Sequence, residues 1–103
     1  MTDRFEQLLA FHRDAPDDDF TTYALAMECV ASERFEEALE WLEKTLELTP
    51  DHAYAWYQRA GALDRLGRDE DARAAIQEGL AAAQRAGDAK AAEELRELAE
   101  ELE

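Results

Sequence analysis

The residues of this chain best suited to chemistry are His12, His52, Cys29 and the run Asp17-Asp18-Asp19. A zinc site needs histidines or cysteines at ligand spacing, and neither histidine has such a neighbour. His12 shares a helix face with Leu8 and Leu9, and His52 falls in a turn, so both read as structural or solvated residues. Cys29 lies among apolar neighbours, where a cysteine acts as a small hydrophobe. As a nucleophile it would need a base nearby, and the sequence offers none. The aspartate run lacks the alternating spacing and glycine of a calcium loop and fits helix-start capping better. There is no glycine-rich phosphate loop. Carboxylates are so numerous that no pair stands out as an acid and base. The reading is therefore a chain with no enzyme activity, no cofactor and no bound metal.

A second group of side chains suits binding. Phe20, Tyr23, Met27 and Val30 recur at helical spacing, and Tyr54 and Tyr57 do so further on. Aromatic and methionine side chains are enriched where proteins meet. The same stripe could equally be core, since apolar periodicity alone does not separate the two.

The elements that carry these residues are marked by punctuation. The only prolines, Pro16 and Pro50, stand 34 residues apart, and each precedes acidic turn chemistry that opens a helical pattern. Asp3 can cap a first helix bearing Phe5, Leu8, Leu9 and His12. Asp19 to Ala31 is apolar over a wide arc, so it has more than one surface to cover. Ser32-Glu33-Arg34 makes a turn. Phe35 to Leu48 carries the stripe Ala38, Leu39, Leu42 and Leu46 opposite a wet face of glutamates, with Glu40 and Lys44 spaced to pair. Ala53 to Leu66 repeats the plan with Trp56, Ala60 and Leu63, and Gly67 ends it. Asp69 to Arg85 follows, with Ala72, Ala75, Ile76, Gly79, Leu80 and Ala83 inward. Gly87 and Asp88 stop that helix and cap another, Ala89 to about Glu101, which has one narrow stripe through Leu95 and Leu98.

Composition narrows the setting. A chain of 103 residues makes one domain. A net charge of −15 repels nucleic acid and anionic lipid. No apolar run is long enough to span a bilayer, and the first residues carry Asp3 and Glu6 with no cleavage signature, so neither membrane nor secretion is expected. The lone cysteine fits a reducing cytoplasm. Abundant acids, two lysines and no asparagine suit a halophilic protein, whose carboxylates hold water and cations in strong salt.

The pattern resembles the tetratricopeptide repeat (TPR) family, whose period is 34 residues. Trp56 falls on the family's tryptophan, Ala72 and Ala38 on its small position, Ile76 on its phenylalanine, Gly67 on its turn glycine and Pro50 on its closing proline. Arg34-Phe35-Glu36-Glu37-Ala38-Leu39 is similar to the start of a second repeat helix. Departures are Thr22 for tryptophan, Arg59 for leucine, Cys29 and Leu63 for tyrosine, Leu42 for phenylalanine and Gln84 for the second closing proline. The resemblance covers 17 to 84 and implies an all-α, short right-handed solenoid of about six helices. Its expected parts are an N-terminal helix at 1–15, repeats at 17–50 and 51–86, and a C-terminal capping helix at 88–103, within one domain of 1–103. It further implies a protein-interaction module whose first helices line a concave groove. By family analogy the groove takes Phe20, Tyr23, Met27 and Val30 from one repeat and Tyr54, Tyr57, Gly61, Asp64 and Arg65 from the next. The first helix could instead lie in that groove and close it. The lysines and asparagines that grip a peptide's terminal carboxylate in this family are missing, so an apolar or basic segment fits better. The expected partner is a protein or peptide bound by a monomer. The alternative is homo-oligomerisation through exposed helix faces, including Trp41 or the last helix.

Overall fold

The computed structural model describes residues 3–102. Met1, Thr2 and Glu103, which the expected end segments include, lie outside that range. Among the described residues the chain is six helices: α1 (Asp3–Asp14), α2 (Asp19–Ala31), α3 (Phe35–Leu48), α4 (Ala53–Arg65), α5 (Asp69–Ala86) and α6 (Ala89–Glu101). Each helix packs on its successor, and α6 also reaches back to α4. The path is a short right-handed solenoid of helix hairpins. The capping role expected of the Asp3 side chain lies outside what the structure describes, and α4 stops at Arg65, one residue short of the expected end. Leu66 takes the cap position there.

Three tight turns share one construction. Glu33, Gly67 and Gly87 adopt positive φ of 57°, 76° and 67°. The following amides of Arg34, Arg68 and Asp88 donate to the carbonyls of Cys29, Leu63 and Ala83, so each chain end folds back over its helix. Glycine reaches this conformation freely, whereas Glu33 does so against a steric cost of about 1–2 kcal/mol. The helix starts are capped as the sequence suggests at Asp18 and Asp88, and also at His52, whose side chains accept from the amides of Phe20, Ala91 and Ala55 respectively.

The core repeats with the same interval. Leu8, Leu42 and Ile76 are 34 residues apart in turn and all are buried. Helix α1 therefore sits against α2 as α3 sits against α4. Ala26 and Ala38, and their counterparts Ala60 and Ala72, have no exposed surface at all. Methyl side chains at those crossings let the helix axes approach. One pair of positions is solved differently in the two hairpins. In the second, Trp56 crosses α5 at Gly79, where an added Cβ would stand 2.9 Å from the Trp56 Cβ and 3.1 Å from the Leu95 methyls. In the first, Thr22 and Thr45 take those places, fully buried. There the Thr45 hydroxyl donates to Thr22 Oγ1 at 2.8 Å, and the Thr22 hydroxyl donates to the Asp19 carbonyl at 3.0 Å. The buried polar atoms thus satisfy one another.

Cations tie neighbouring units at the rim. Arg4 pairs with Glu28, Arg65 with Glu33, Arg68 with Glu36 and Arg85 with Asp51. Exposed pairs of this kind are each worth about 0–1 kcal/mol, so they fix register more than they stabilise. Trp41, expected as part of an exposed helix face, is partly covered. It is half-buried between two core clusters, with the His12 ring edge-on at 5.1 Å.

The two helix-interior glycines give opposite expectations. Gly61→Ala meets nothing within 4 Å, and it should stabilise by about 0.5–1 kcal/mol through helix propensity. Gly79→Ala should destabilise by about 1–2 kcal/mol, because overpacking against Trp56 outweighs the same propensity gain. Urea melts of the two variants should move in opposite directions.

Candidate partner-binding groove

The residues expected to line a groove are Phe20, Tyr23, Met27 and Val30 on α2, and Tyr54, Tyr57, Gly61, Asp64 and Arg65 on α4 and at its end. Tyr23 is half-buried, and its ring lies against His52 at 4.6 Å between centroids. His52 is placed for this by its capping role, since its Nδ1 accepts from the Ala55 amide at 3.1 Å. The turn before α4 thus bridges the two helices. Burial raises the Tyr23 phenol above its ordinary pKa, and a hydrogen bond with Gln58 opposes the shift.

Tyr54 and Tyr57 continue the surface, their rings 6.3 Å apart and close to edge-on. The Tyr54 hydroxyl donates to the Glu94 carboxylate on α6. That bond, with burial and the Glu94 charge behind it, pushes the Tyr54 pKa up to about 12. Tyr57 packs against the core cluster that α4, α5 and α6 share, to which α6 gives Leu95 and Leu98. Its pKa is raised by burial first and then by the charges of Glu101, Glu94 and Glu97. All three phenols therefore stay protonated and uncharged near neutrality.

The remaining expected groove residues divide. Gly61 has open space beside it, so the wall is uncovered at that point. Phe20 is 76% exposed at the start of α2. Met27 and Asp64 are half-buried. Val30 turns toward Phe5 and Leu8, in the contact with α1. Arg65 is held at the rim, 2.8 Å from Glu33, with its guanidinium 4.7 Å from the Phe35 ring centre. Helix α1 packs on α2, where Phe5 and Leu8 join a core cluster with Leu25, Cys29 and Ala38.

Two contributions to this face were not anticipated from sequence. His52 supplies a ring, where the sequence suggested only a turn. Helix α6 supplies Glu94, Glu97 and Glu101, where the sequence suggested only a solvating cap. The signal for the second was present: α4 and α6 are both 13 residues long, and their capping residues His52 and Asp88 lie 36 apart. An α5 four residues longer than α3, followed by a connection two residues shorter, offsets α6 by two and hides it from a strict 34-residue search.

Cys29 is buried, and burial followed by the charge of Glu37 pushes its thiol up to about 11. That makes it a poor nucleophile at neutral pH. Among the described residues no three His, Cys, Asp or Glu side chains converge to hold a metal. A depression of about 700 Å³ between the end of α5 and the start of α6 has a mixed lining that includes Leu80, Ala92, Gln77, Gln84, Asp88 and Arg96. No helix among the described residues is long and apolar enough to cross a membrane.

Comparison with known proteins agrees with this geometry. The tetratricopeptide repeat profile matches residues 30–96, from the end of α2 into α6. A Bordetella parapertussis protein solved in solution superposes with a TM-score of 0.86 at 30% identity, covering 99% of this chain and 89% of that one. A tetratricopeptide repeat domain protein from Salinibacter ruber superposes with a TM-score of 0.78 at 32% identity, over 85% of this chain and 89% of that one. An uncharacterized Methanocaldococcus jannaschii protein is 48% identical over 46 residues, which is 45% of this chain and 54% of that protein's length.

The Tyr54–Glu94 contact has a measurable signature. Glu94→Gln should lower the Tyr54 midpoint from about 12 toward the ordinary 10 in an ultraviolet pH titration, and Tyr54→Phe should remove that transition. Because the folded pKa is raised, the contact's stabilisation is complete below about pH 10. It fades as pH climbs through about 12, and melts across that window should show a larger loss in wild type than in either variant.

Proposed function

The chain belongs to the tetratricopeptide-repeat family, a non-catalytic interaction fold, and from that premise we propose that it is an adaptor receiving a segment of another protein on the concave face of α2 and α4. The observation that carries this reading is the open space beside Gly61, on the same helix face as Tyr57 and one turn from it. A backbone can approach there without displacing a side chain. Tyr23, Tyr54 and Tyr57 supply rigid ring surface at low entropic cost. Phe20, exposed at the head of α2, extends it. The partner is a protein or peptide, and the charge of −15 disfavours nucleic acid.

Gly61→Phe should fill the groove while leaving the fold intact, since nothing lies within 4 Å of the new Cβ. Protein captured from the host's own extract by immobilised wild type should be lost with Gly61→Phe and with Tyr57→Ala, each by about tenfold or more. The melting temperature of Gly61→Phe should stay at or above the wild-type value. Retention of the partner by both variants would remove the groove reading.

A second reading, self-pairing, is favoured by the exposed rings of Phe11 and Phe20, at the end of α1 and the start of α2. Sedimentation at rising concentration separates the two, and a mass fixed at one chain is expected.

The acidity fits a cytoplasm of high salt, where like charges are screened. With 26 acidic and 11 basic residues, self-repulsion should be relieved by salt. The melting temperature should rise between dilute buffer and molar potassium chloride, and a flat response would dismiss the high-salt setting.

A further inference from the structure

We infer that the groove is built for a cationic segment, with an arginine seated against the Tyr57 ring and held by the α6 carboxylates. This rests on the groove reading above and names the chemistry of its occupant.

Helix α6 buries Ala91, Leu95 and Leu98 against α4 and α5. The residues next to that stripe on the groove side follow at helical spacing: Lys90, Glu94, Glu97 and Glu101. The contact between Tyr54 and Glu94 shows that this edge of α6 borders the aromatic surface. Glu94 is therefore partly committed to Tyr54. Glu97 and Glu101 are exposed, and among the described residues neither makes an ion pair. They lie four residues apart on one face, so their like charges repel at short range. Asp64, one turn beyond Gly61 on α4, adds a carboxylate on the same side.

The cations near the groove are elsewhere engaged or displaced. Arg65 is paired with Glu33 and stacked on Phe35. Arg59 stacks on Trp56, its guanidinium 5.8 Å from the ring centre. Lys90 stands at the far end of the α6 edge, one turn before Glu94. The surface left around Tyr57 thus combines uncharged phenol rings with unneutralised carboxylates. A guanidinium suits both, lying flat on a ring while its edge donates to carboxylates. A purely apolar segment would leave Glu97 and Glu101 half-desolvated without partners, and an acidic one would meet repulsion from them.

The test uses short synthetic peptides as probes: one of alternating arginine and leucine, and its glutamine–leucine counterpart. Binding is followed by amide NMR shifts of the whole protein at about 0.15 M salt, where surface charges are screened beyond about 8 Å. The arginine peptide should move the signals of Tyr54, Tyr57 and Gly61. Glu97→Gln with Glu101→Gln should weaken it by about tenfold or more. Glu43→Gln with Glu47→Gln, exposed on α3 and equal in charge removed, should change it by less than about twofold. Equal weakening by both double variants would show a general field effect and overturn the inference. If the glutamine peptide binds the same residues as tightly, the groove stands but its cation preference falls. If neither peptide moves those three signals, the groove reading falls with it.

Discussion

The structure depends on how closely the two helices of each hairpin can cross. Everything that stacks, bends or lines a wall follows from that distance. At Ala26 with Ala38 and at Ala60 with Ala72 the crossing is made by methyl groups with no exposed surface. Where one partner at the crossing is large, the other must vanish. Trp56 is tolerated because residue 79 is a glycine, and a single added carbon there would stand 2.9 Å from its Cβ. The first hairpin holds the same spacing with two threonines, which fill the gap at middle size and neutralise their own polarity by hydrogen bonding. Two side-chain chemistries thus meet one geometric demand, as expected of an interior packed to crystal-like density.

That constraint explains which departures from the repeat pattern matter. Thr22 in place of a tryptophan looks like a lost anchor when read alone, yet it is compensated across the crossing by Thr45, 23 residues away. Glu33 in place of a turn glycine looks strained, and it is, with φ of 57°. Its carboxylate meets Arg65 of the next hairpin, a contact glycine could not make. The exchange sets a backbone cost of about 1–2 kcal/mol against a surface ion pair worth less than that. The pair therefore fixes the join between units more than it stabilises the chain.

Periodicity made the fold legible. Apolar stripes, two prolines and the turn glycine located the helices to within a residue at nearly every end, because caps and left-handed turns have strong local chemistry. The proposed binding face was less legible, since its residues come from several helices. Val30 has the spacing of a groove residue, but α1 claims it through Phe5 and Leu8. Trp41 resembled an exposed handle, but the His12 ring and two apolar clusters enclose it. The α6 glutamates looked like plain solvation because their neighbours Tyr54 and Tyr57 are remote in sequence. Only the placement of α6 against α4 turns a charged helix face into part of an aromatic wall.

That placement also sets the electrostatic character of the wall. Acids beside tyrosines can act in two ways. They could favour a buried network sealed against ligands, or they could hold the phenols neutral and leave the rings available. The Tyr54 proton is kept on the phenol by the Glu94 carboxylate it donates to, with a pKa of about 12. Tyr57 is raised as well, by burial and by charges it does not bond. A neutral ring keeps its electron-rich face, which attracts cations, whereas the same carboxylates would repel an anion approaching that face. The acidity spread along the chain thus also meets, beside Tyr54 and Tyr57, surfaces able to stack.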